Sequence, residues 1–544
     1  MAGFWSMLGL VFKSLITGTD TNDETQEDGA VGLVTNDAIC RYAIARFLPD
    51  DASAPGGVQA ADDIGDRVAS AVASVPESSG IRVNQFFKPN PDAVDPFQAI
   101  REAQLGVLNL GHRKDVEVVF WGHQDPASGQ LDLHMVSDAL TSSLYDLMLA
   151  QTYRFIQPNH PDFAEAMRVL LTSQLVLNSI GGEQRGLQIA RLSAVLEDLQ
   201  DRILGGETFA AAGPGAAFAY AFGAFILSET GDRAYCASAL RVLEPHIRKI
   251  LVDIADKPAV AAKTAAPKSL IGESLKNDNN NSNGQSNSDP EEIKTEQLFG
   301  QISDCSKLDA KMTAALALYG ALVNWSLVAN LKTRSASLAV ATWRLLERRV
   351  ELSLGSPADR ALSICKLGEA LILMGKDKEN AKIVEKGAAQ YRRALGIVNA
   401  RAHPPLYAIT AYGLADAIVS SAIIRDVTIP DTQVVPVFQA ALKVCTRRDH
   451  PYIWGRIMFA LATVYLTNGN LDKDVEMLTN ARMGYSQAYD AFIEAGAKGA
   501  ARAASGGHTR SENFLSQLGH RKSVMDATGG DGDADKDAAK ASAS

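Results

Sequence analysis

Two histidines and an aspartate on one predicted hairpin are the residues whose spacing comes nearest to chemistry. VEVVFWGHQD and QLDLHMV flank PASG, a turn signal between two β-prone runs. With Asp125 opposite Gln130, the register sets His123 across from Asp132 and Trp121 across from His134. Imidazole and carboxylate together can hold a divalent metal or move a proton. No third ligand accompanies them, which favours ordinary sheet histidines. The run DGDADKD, Asp531 to Asp537, alternates carboxylates as a calcium loop does. It lacks the central Gly and the terminal Glu, so a solvated tail is the better reading. The five cysteines, Cys40, Cys236, Cys305, Cys365 and Cys445, stand far apart with no CxxC. They imply neither a zinc site nor a disulfide framework, and read as buried reduced thiols of a cytosolic protein. The sequence carries no G-x-x-x-x-G-K-[ST], no strand-linked G-x-G-x-x-G, no GxSxG and no HExxH. The glycine-rich LGGETFAAAGPGAAF follows a helical stretch and reads as an interhelical loop. No catalytic residue, cofactor or metal is assigned, and the expectation is a protein that is not an enzyme.

The elements that position these residues come next. A chain of 544 residues exceeds what one core usually organises, so several domains or an elongated array is expected. With 46% hydrophobic and 21% charged residues the composition is that of an ordinary soluble protein. A net charge of −10 argues against a general nucleic-acid binder, which presents a basic face.

Residues 1–17 form an amphipathic helix in this reading, followed by a polar tether over 18–38. Ser6, Gly9, Lys13 and Thr17 share one face, and Trp5, Leu8, Phe12 and Leu15 the other. The apolar run is too short to span a bilayer and carries neither a positive n-region nor a cleavage site. Trp5, Leu8, Phe12 and Leu15 are therefore candidate membrane-surface residues. A helix packed on its own protein is the alternative of equal standing.

Residues 39–136 read as a small α/β domain in the order strand, helix, strand, helix, strand, strand. CRYAIARFLPDD ends a strand at Pro49, and Ile64, Val68, Ala71, Val72 and Val75 recur at helical spacing. IRVNQFF is a second strand, DPFQAIREAQLGVLNLGHRKD a helix ending near Gly111, and the hairpin closes the set. AIARFLPDD, IGDRVASAVASV running into IRV, and VVFWGHQDPASGQLDLHMV resemble the amino-terminal α/β domain of TolB-like proteins. That resemblance implies an interaction or regulatory module and carries over no catalytic residue.

A helical block is expected over 137–256, with apolar stripes separated by GG, GPG and TGD. Residues 257–296, with NDNNNSNGQSNSDPEE, are too poor in aliphatic residues to offset chain entropy and are expected to be a disordered linker dividing the helical region. The second block, 297–497, repeats itself. AHPPLYAITAYGLADAI at 402–418 returns as DHPYIWGRIMFALATVY at 449–465. Pro357, Pro404 and Pro451 keep a spacing of 47, as do Leu367, Leu414 and Leu461, and Tyr391, Phe438 and Tyr485. An upstream unit with LYGALVNWS and TWRLLERR is off by about one position. Such a period signals a solenoid in which helical pairs cover each other's apolar faces. KLGEALILMGK with YRRALGIV resembles the tetratricopeptide repeat (TPR), although 47 residues is longer than its usual 34. Residues 498–544, rich in Ala, Gly, Asp and Lys, are expected to be a mobile tail.

The fold class expected is thus α+β and multidomain, predominantly α, with a small N-terminal α/β domain followed by TPR-like α-solenoid blocks. The function expected is a scaffold or adaptor binding protein or peptide partners and not nucleic acid, in the bacterial cytoplasm, with residues 1–17 placing it peripherally at the inner membrane; a homo-oligomer is left open. Tyr407, Tyr452 and Trp454 lie early in first helices, which line the concave face of tetratricopeptide arrays, and are candidate contact residues, with the inter-repeat core as alternative. Arg447 and Arg448 are candidates to line a groove for acidic segments. The competing reading is a ligand-responsive regulator whose α/β domain senses a small molecule and signals through the solenoid.

Overall fold

A computed structural model describes most of residues 40–529; residues 1–39, 50–56, 88–102, 138–152, 256–294 and 530–544, and short gaps elsewhere, lie outside the described residues. The chain is predominantly helical, with a small mixed sheet at its amino-terminal end. The sheet strands are β1 (Cys40–Ala45), β2 (Leu48–Pro49), β3 (Ser78–Val83), β4 (Val118–Gln124), β5 (Leu131–Ser137) and β6 (Tyr153–Phe155). Their order is β3-β1-β4-β5-β6, with β2 also pairing β4. β1 runs parallel to β3 and β4, while β5 is antiparallel to β4 and β6. The hairpin register is the expected one, Trp121 opposite His134 and His123 opposite Asp132.

Alternation sorts the strand residues onto two faces. Tyr42, Ile44, Phe120, Leu133 and Phe155 join the large core cluster, with helix α1 (Gly57–Ala73) lying over them through Ile64, Val68 and Val72. Ala43, Ala45, Val119, Trp121 and Val136 form a second cluster with Val107 and Leu110, which lie in a helical stretch that continues to residue 114 rather than ending near Gly111. β6 falls within the stretch expected to be helical. Three residues are too few for a period to register.

The helices that follow are α2 (Pro161–Asn178), α3 (Gly182–Leu204), α4 (Pro214–Thr230), α5 (Cys236–Ile254), α6 (Ala310–Val328), α7 (Ala336–Leu352), α8 (Pro357–Asp377), α9 (Ala381–Leu395), α10 (Pro404–Ile424), α11 (Asp431–Val444), α12 (Pro451–Asp472), α13 (Val475–Glu494) and α14 (Lys498–Gly529). The sheet is not a detached bead. The amino terminus of α4 abuts β6 so closely that a Cβ on Gly215 would lie 2.8 Å from the Arg154 carbonyl oxygen. Phe155 packs edge-on against Phe163 of α2, with ring centroids 4.8 Å apart.

The low-complexity tract likewise does not divide the core. One continuous cluster runs from Cys40 to Ala417. Glu244 of α5 is buried and accepts hydrogen bonds from Thr295, at the far end of the tract, and from the Tyr319 hydroxyl of α6. Arg233 lies over the Trp325 ring at 5.0 Å. Residues distant in sequence thus meet through hydrogen bonds a sequence period cannot display.

The repeat is a stack of helix pairs, α8/α9, α10/α11 and α12/α13. Pro357, Pro404 and Pro451 each open a first helix, where the missing N–H is one of the unpaired donors of the first turn. Each second helix drives an aromatic ring toward small residues. A Cβ on Gly368 would meet the Tyr391 ring at 3.1 Å, and one on Gly413 of the next unit would meet it at 2.2 Å. Phe438 packs in one cluster with Ala415 and Ala460, and Tyr485 with Ala462.

The tail expected after residue 497 is instead α14, and it keeps the register. Lys498 stands 47 positions after Pro451, and Gly507 stands 47 after Ala460. A Cβ on Gly507 would meet the Tyr485 ring at 2.4 Å. Ala501, Ala504 and Ser511 are buried while Arg502, Thr509, Arg510 and Glu512 face solvent. α14 thus stands in register as the first helix of a fourth unit, with a polar outer side.

Candidate functional site

The first helices form the inside of the array. On α8 every residue from Ala361 to Gly375 is buried, and α8 touches α6, α7, α9 and α10. α10 is almost as enclosed, from Ala408 to Ala415. It is the one described helix long and apolar enough to cross a membrane, and it is a core helix, 67% buried. The second helices α9 and α13 bury one stripe each and present the opposite side to solvent.

This arrangement decides where the partner-binding candidates fall. Tyr452 is 3% exposed and packs on Phe492, with ring centroids 5.4 Å apart, so it belongs to the inter-repeat core. Tyr407 is half-buried against two core clusters. Trp454 is half-buried beneath the Arg447 guanidinium, 5.9 Å from its ring. Arg447 is itself held by Glu494 of α13, with Nε donating to Oε2 at 3.0 Å and Nη2 to Oε1 at 2.5 Å. It ties one second helix to the turn before α12 and is not an open cation. Arg448 is exposed. Tyr452 is covered by α13 and α14, and Arg447 is held by Glu494, so both side chains are taken up in packing between helices. Trp5, Leu8, Phe12 and Leu15 lie outside the described residues.

The interior also holds charge. The Lys366 ammonium lies 2.8 Å from Glu369 Oε2, with both side chains almost wholly buried, and Asn324 Nδ2 donates to the same oxygen at 3.3 Å. Lys376 of α8 reaches Asp416 of α10 at 3.1 Å. The first pair lies within α8 and is costly to desolvate, and the second ties α8 to α10. Burial pushes the phenol of Tyr412 well above its ordinary value, with Arg456, 4.6 Å from its ring, pulling the other way. All five cysteines are free and buried, and burial raises the Cys365 thiol to about 12 and the Cys236 thiol to about 11. Thiolates are the nucleophilic form, so these two are inert.

The hairpin histidines are accounted for locally. His134 is stacked on Trp121 with ring centroids 4.1 Å apart, and Asp132, across from His123, is gripped by Arg154 through two bonds of 2.7 Å. Among the described residues no group of three or more His, Cys, Asp or Glu is placed to hold a metal. His403 and His450 precede first helices and neither side chain caps; their carbonyl oxygens accept from Tyr407 N and Trp454 N at 3.0 Å.

What the sequence did not single out is an apolar edge. Ile423 is the second-last residue of α10 and Val427 follows its end, while Leu471 is the second-last residue of α12 and Val475 opens α13, with exposures of 46, 55, 59 and 56% in that order. α10 and α12 are packed side by side, so their carboxyl ends fall on one rim. Exposed side chains of this size grouped on one rim mark interaction surfaces on soluble proteins. The near-period spacing, 48 positions between Ile423 and Leu471 and between Val427 and Val475, is a signal that could have found them. The chain matches no family model and no curated protein sequence.

Proposed function

We propose that the protein is a non-enzymatic scaffold that binds protein partners through the rim formed by Ile423, Val427, Leu471 and Val475. The observation that carries the reading is the exposure of these aliphatic side chains where the first helices of two consecutive repeats end. A rigid array holds such a surface ready, so a partner binds at little ordering cost to the scaffold. The aromatic ring of each second helix seated against small residues of two first helices supports a degenerate tetratricopeptide-like array, lengthened to 47 residues. The strand order and the hairpin register support the TolB-like reading of the sheet region.

The test uses the full-length protein as bait in extract of its native cells, wild type against a variant with Ile423, Val427, Leu471 and Val475 all changed to Ser, after circular dichroism shows that both are folded. A partner retained by the wild type and lost from the variant is the expected result. Equal retention by both moves recognition elsewhere. The same scaffold is proposed to sit in the cytoplasm with peripheral contact to the inner membrane through residues 1–17. Deletion of those residues should lower the membrane-associated fraction; an unchanged fraction removes the anchor.

A further inference from the structure

α9 and α13 hold equivalent places, each the second helix of its repeat, yet their outward sides differ. Lys382, Glu385, Lys386, Arg392 and Arg393 face solvent on α9, the composition of an ordinary solvated shell. On α13 the outward side carries Met483, Tyr489 and Ile493, with exposures of 53, 40 and 45%. The inward stripe of the same helix, from Leu478 through Tyr485 to Phe492, is buried against α12 and α14. α13 is thus apolar on two sides, and among the described residues one of them is covered. Large apolar side chains gathered on one exposed face mark a contact surface.

The outward positions are arranged symmetrically about Ser486. Met483 and Tyr489 stand three residues to either side of it, Arg482 and Asp490 four, and Thr479 and Ile493 seven. At 3.6 residues per turn, all of them fall within about 60° of the direction in which Ser486 points. A two-fold axis at Ser486 lays two copies of α13 antiparallel, so that each residue meets the one equally far beyond Ser486 in the other chain. Met483 then packs on the Tyr489 ring of the second copy, a favourable sulfur–aromatic contact. Thr479 meets Ile493, and the small Ser486 lets the two helices approach closely at their crossing.

Charge selects this pairing over its alternative. Antiparallel helices bring the Arg482 guanidinium to the Asp490 carboxylate twice, once on each side of the axis, whereas parallel helices oppose Arg482 to Arg482 and Asp490 to Asp490. Asp490 also acts on Arg447, whose hydrogen bonds go to Glu494; the pairing uses its charge. We propose that α13 is the contact helix of a two-fold homodimer, crossing α13 of a second copy at Ser486 with Arg482 of each chain on Asp490 of the other. The face from Thr479 to Ile493 is about 21 Å long, so the contact belongs to the small, transient class and forms at micromolar concentrations.

Sedimentation equilibrium of the full-length protein, at loadings from about 1 to about 200 μM, tests the proposal. A monomer–dimer equilibrium is expected. Arg482→Asp and Asp490→Arg each set like charges across the axis and should each weaken the dimer by about tenfold or more, with circular dichroism showing that both variants are folded. Mixing the two variants in equal amounts brings opposite charges together again and should restore the dimer, as should the double variant. A monomer at every loading, the result expected if this face takes another protein or another segment of the chain, overturns the proposal. A dimer that both single variants leave intact, or that neither mixing nor the double variant restores, lies on another surface and overturns it as well.

Discussion

α8 is buried on every side from Ala361 to Gly375, whereas its partner α9 buries only Ile383, Val384, Gly387, Ala388, Tyr391 and Ala394. The two helices belong to one repeat, are joined by a short turn at Asn380, and meet opposite fates. α8 and the middle of α10 make a central column whose buried side chains are apolar, small or paired. The second helices make a shell that is half core and half surface. A small residue on the column is therefore a packing constraint, while a charged residue on the shell is a surface contact worth little by itself. The same difference leaves the side chains of α8 out of reach of solvent.

The comparison can be broken from the column side first. Deleting residues 498–544 removes the helix that covers Tyr485, and should lower the melting temperature more than any single substitution, with added dye binding from exposed apolar surface. Tyr391→Ala empties the ring site shared by Gly368 and Gly413, and should cost about 3–5 kcal/mol in urea unfolding, the range for large aromatic truncations. Gly413→Ala places a methyl group where the Tyr391 ring lies, and should cost about 1–3 kcal/mol by overpacking. On the shell, a double-mutant cycle on Arg447 and Glu494, both partly exposed, should return a coupling below about 1 kcal/mol. A coupling as large as the column effects would erase the distinction.

The smallest effect is electrostatic. Burial, with help from Lys249, holds the His246 imidazole of α5 below its ordinary value. The unfolded chain then takes up a proton that the folded chain refuses. The His246-linked part of stability is present above the unfolded histidine's value near 6.5 and is lost as pH falls below it. His246→Gln should flatten the drop in melting temperature between about pH 7.5 and about pH 5.5 relative to wild type; an unchanged slope assigns the drop to other groups.

Residues that repeat or alternate are legible in the chain itself. The proline, leucine and aromatic columns at a spacing of 47 mark the helix pairs and their contact points, because steric fit between neighbours demands the same residue types at the same places. The hairpin register follows from alternation and loop length. α14 is hidden because Lys498 stands where the earlier units have proline and because its polar outer side, suited to a cap, gives it the composition of a tail. Of the candidate contact residues, Tyr452 is buried, Tyr407 and Trp454 are half-buried and Arg448 is exposed. Tyr452 looks like a contact residue in the sequence, but an aromatic early in a first helix marks an exposed groove only when that helix is open on one side.

By itself the sequence determined the helix pairs of the repeat, the hairpin register and the period, since these depend on residues near in the chain or equivalent by repetition. Only the tertiary structure decided that α8 and the middle of α10 are enclosed, that Glu244 joins the chain across the low-complexity tract, and that Met483, Tyr489 and Ile493 face outward. Those outcomes depend on how far the stacked units close upon themselves and on meetings between residues that share no pattern, and burial and charge pairing act on distances that one dimension does not contain.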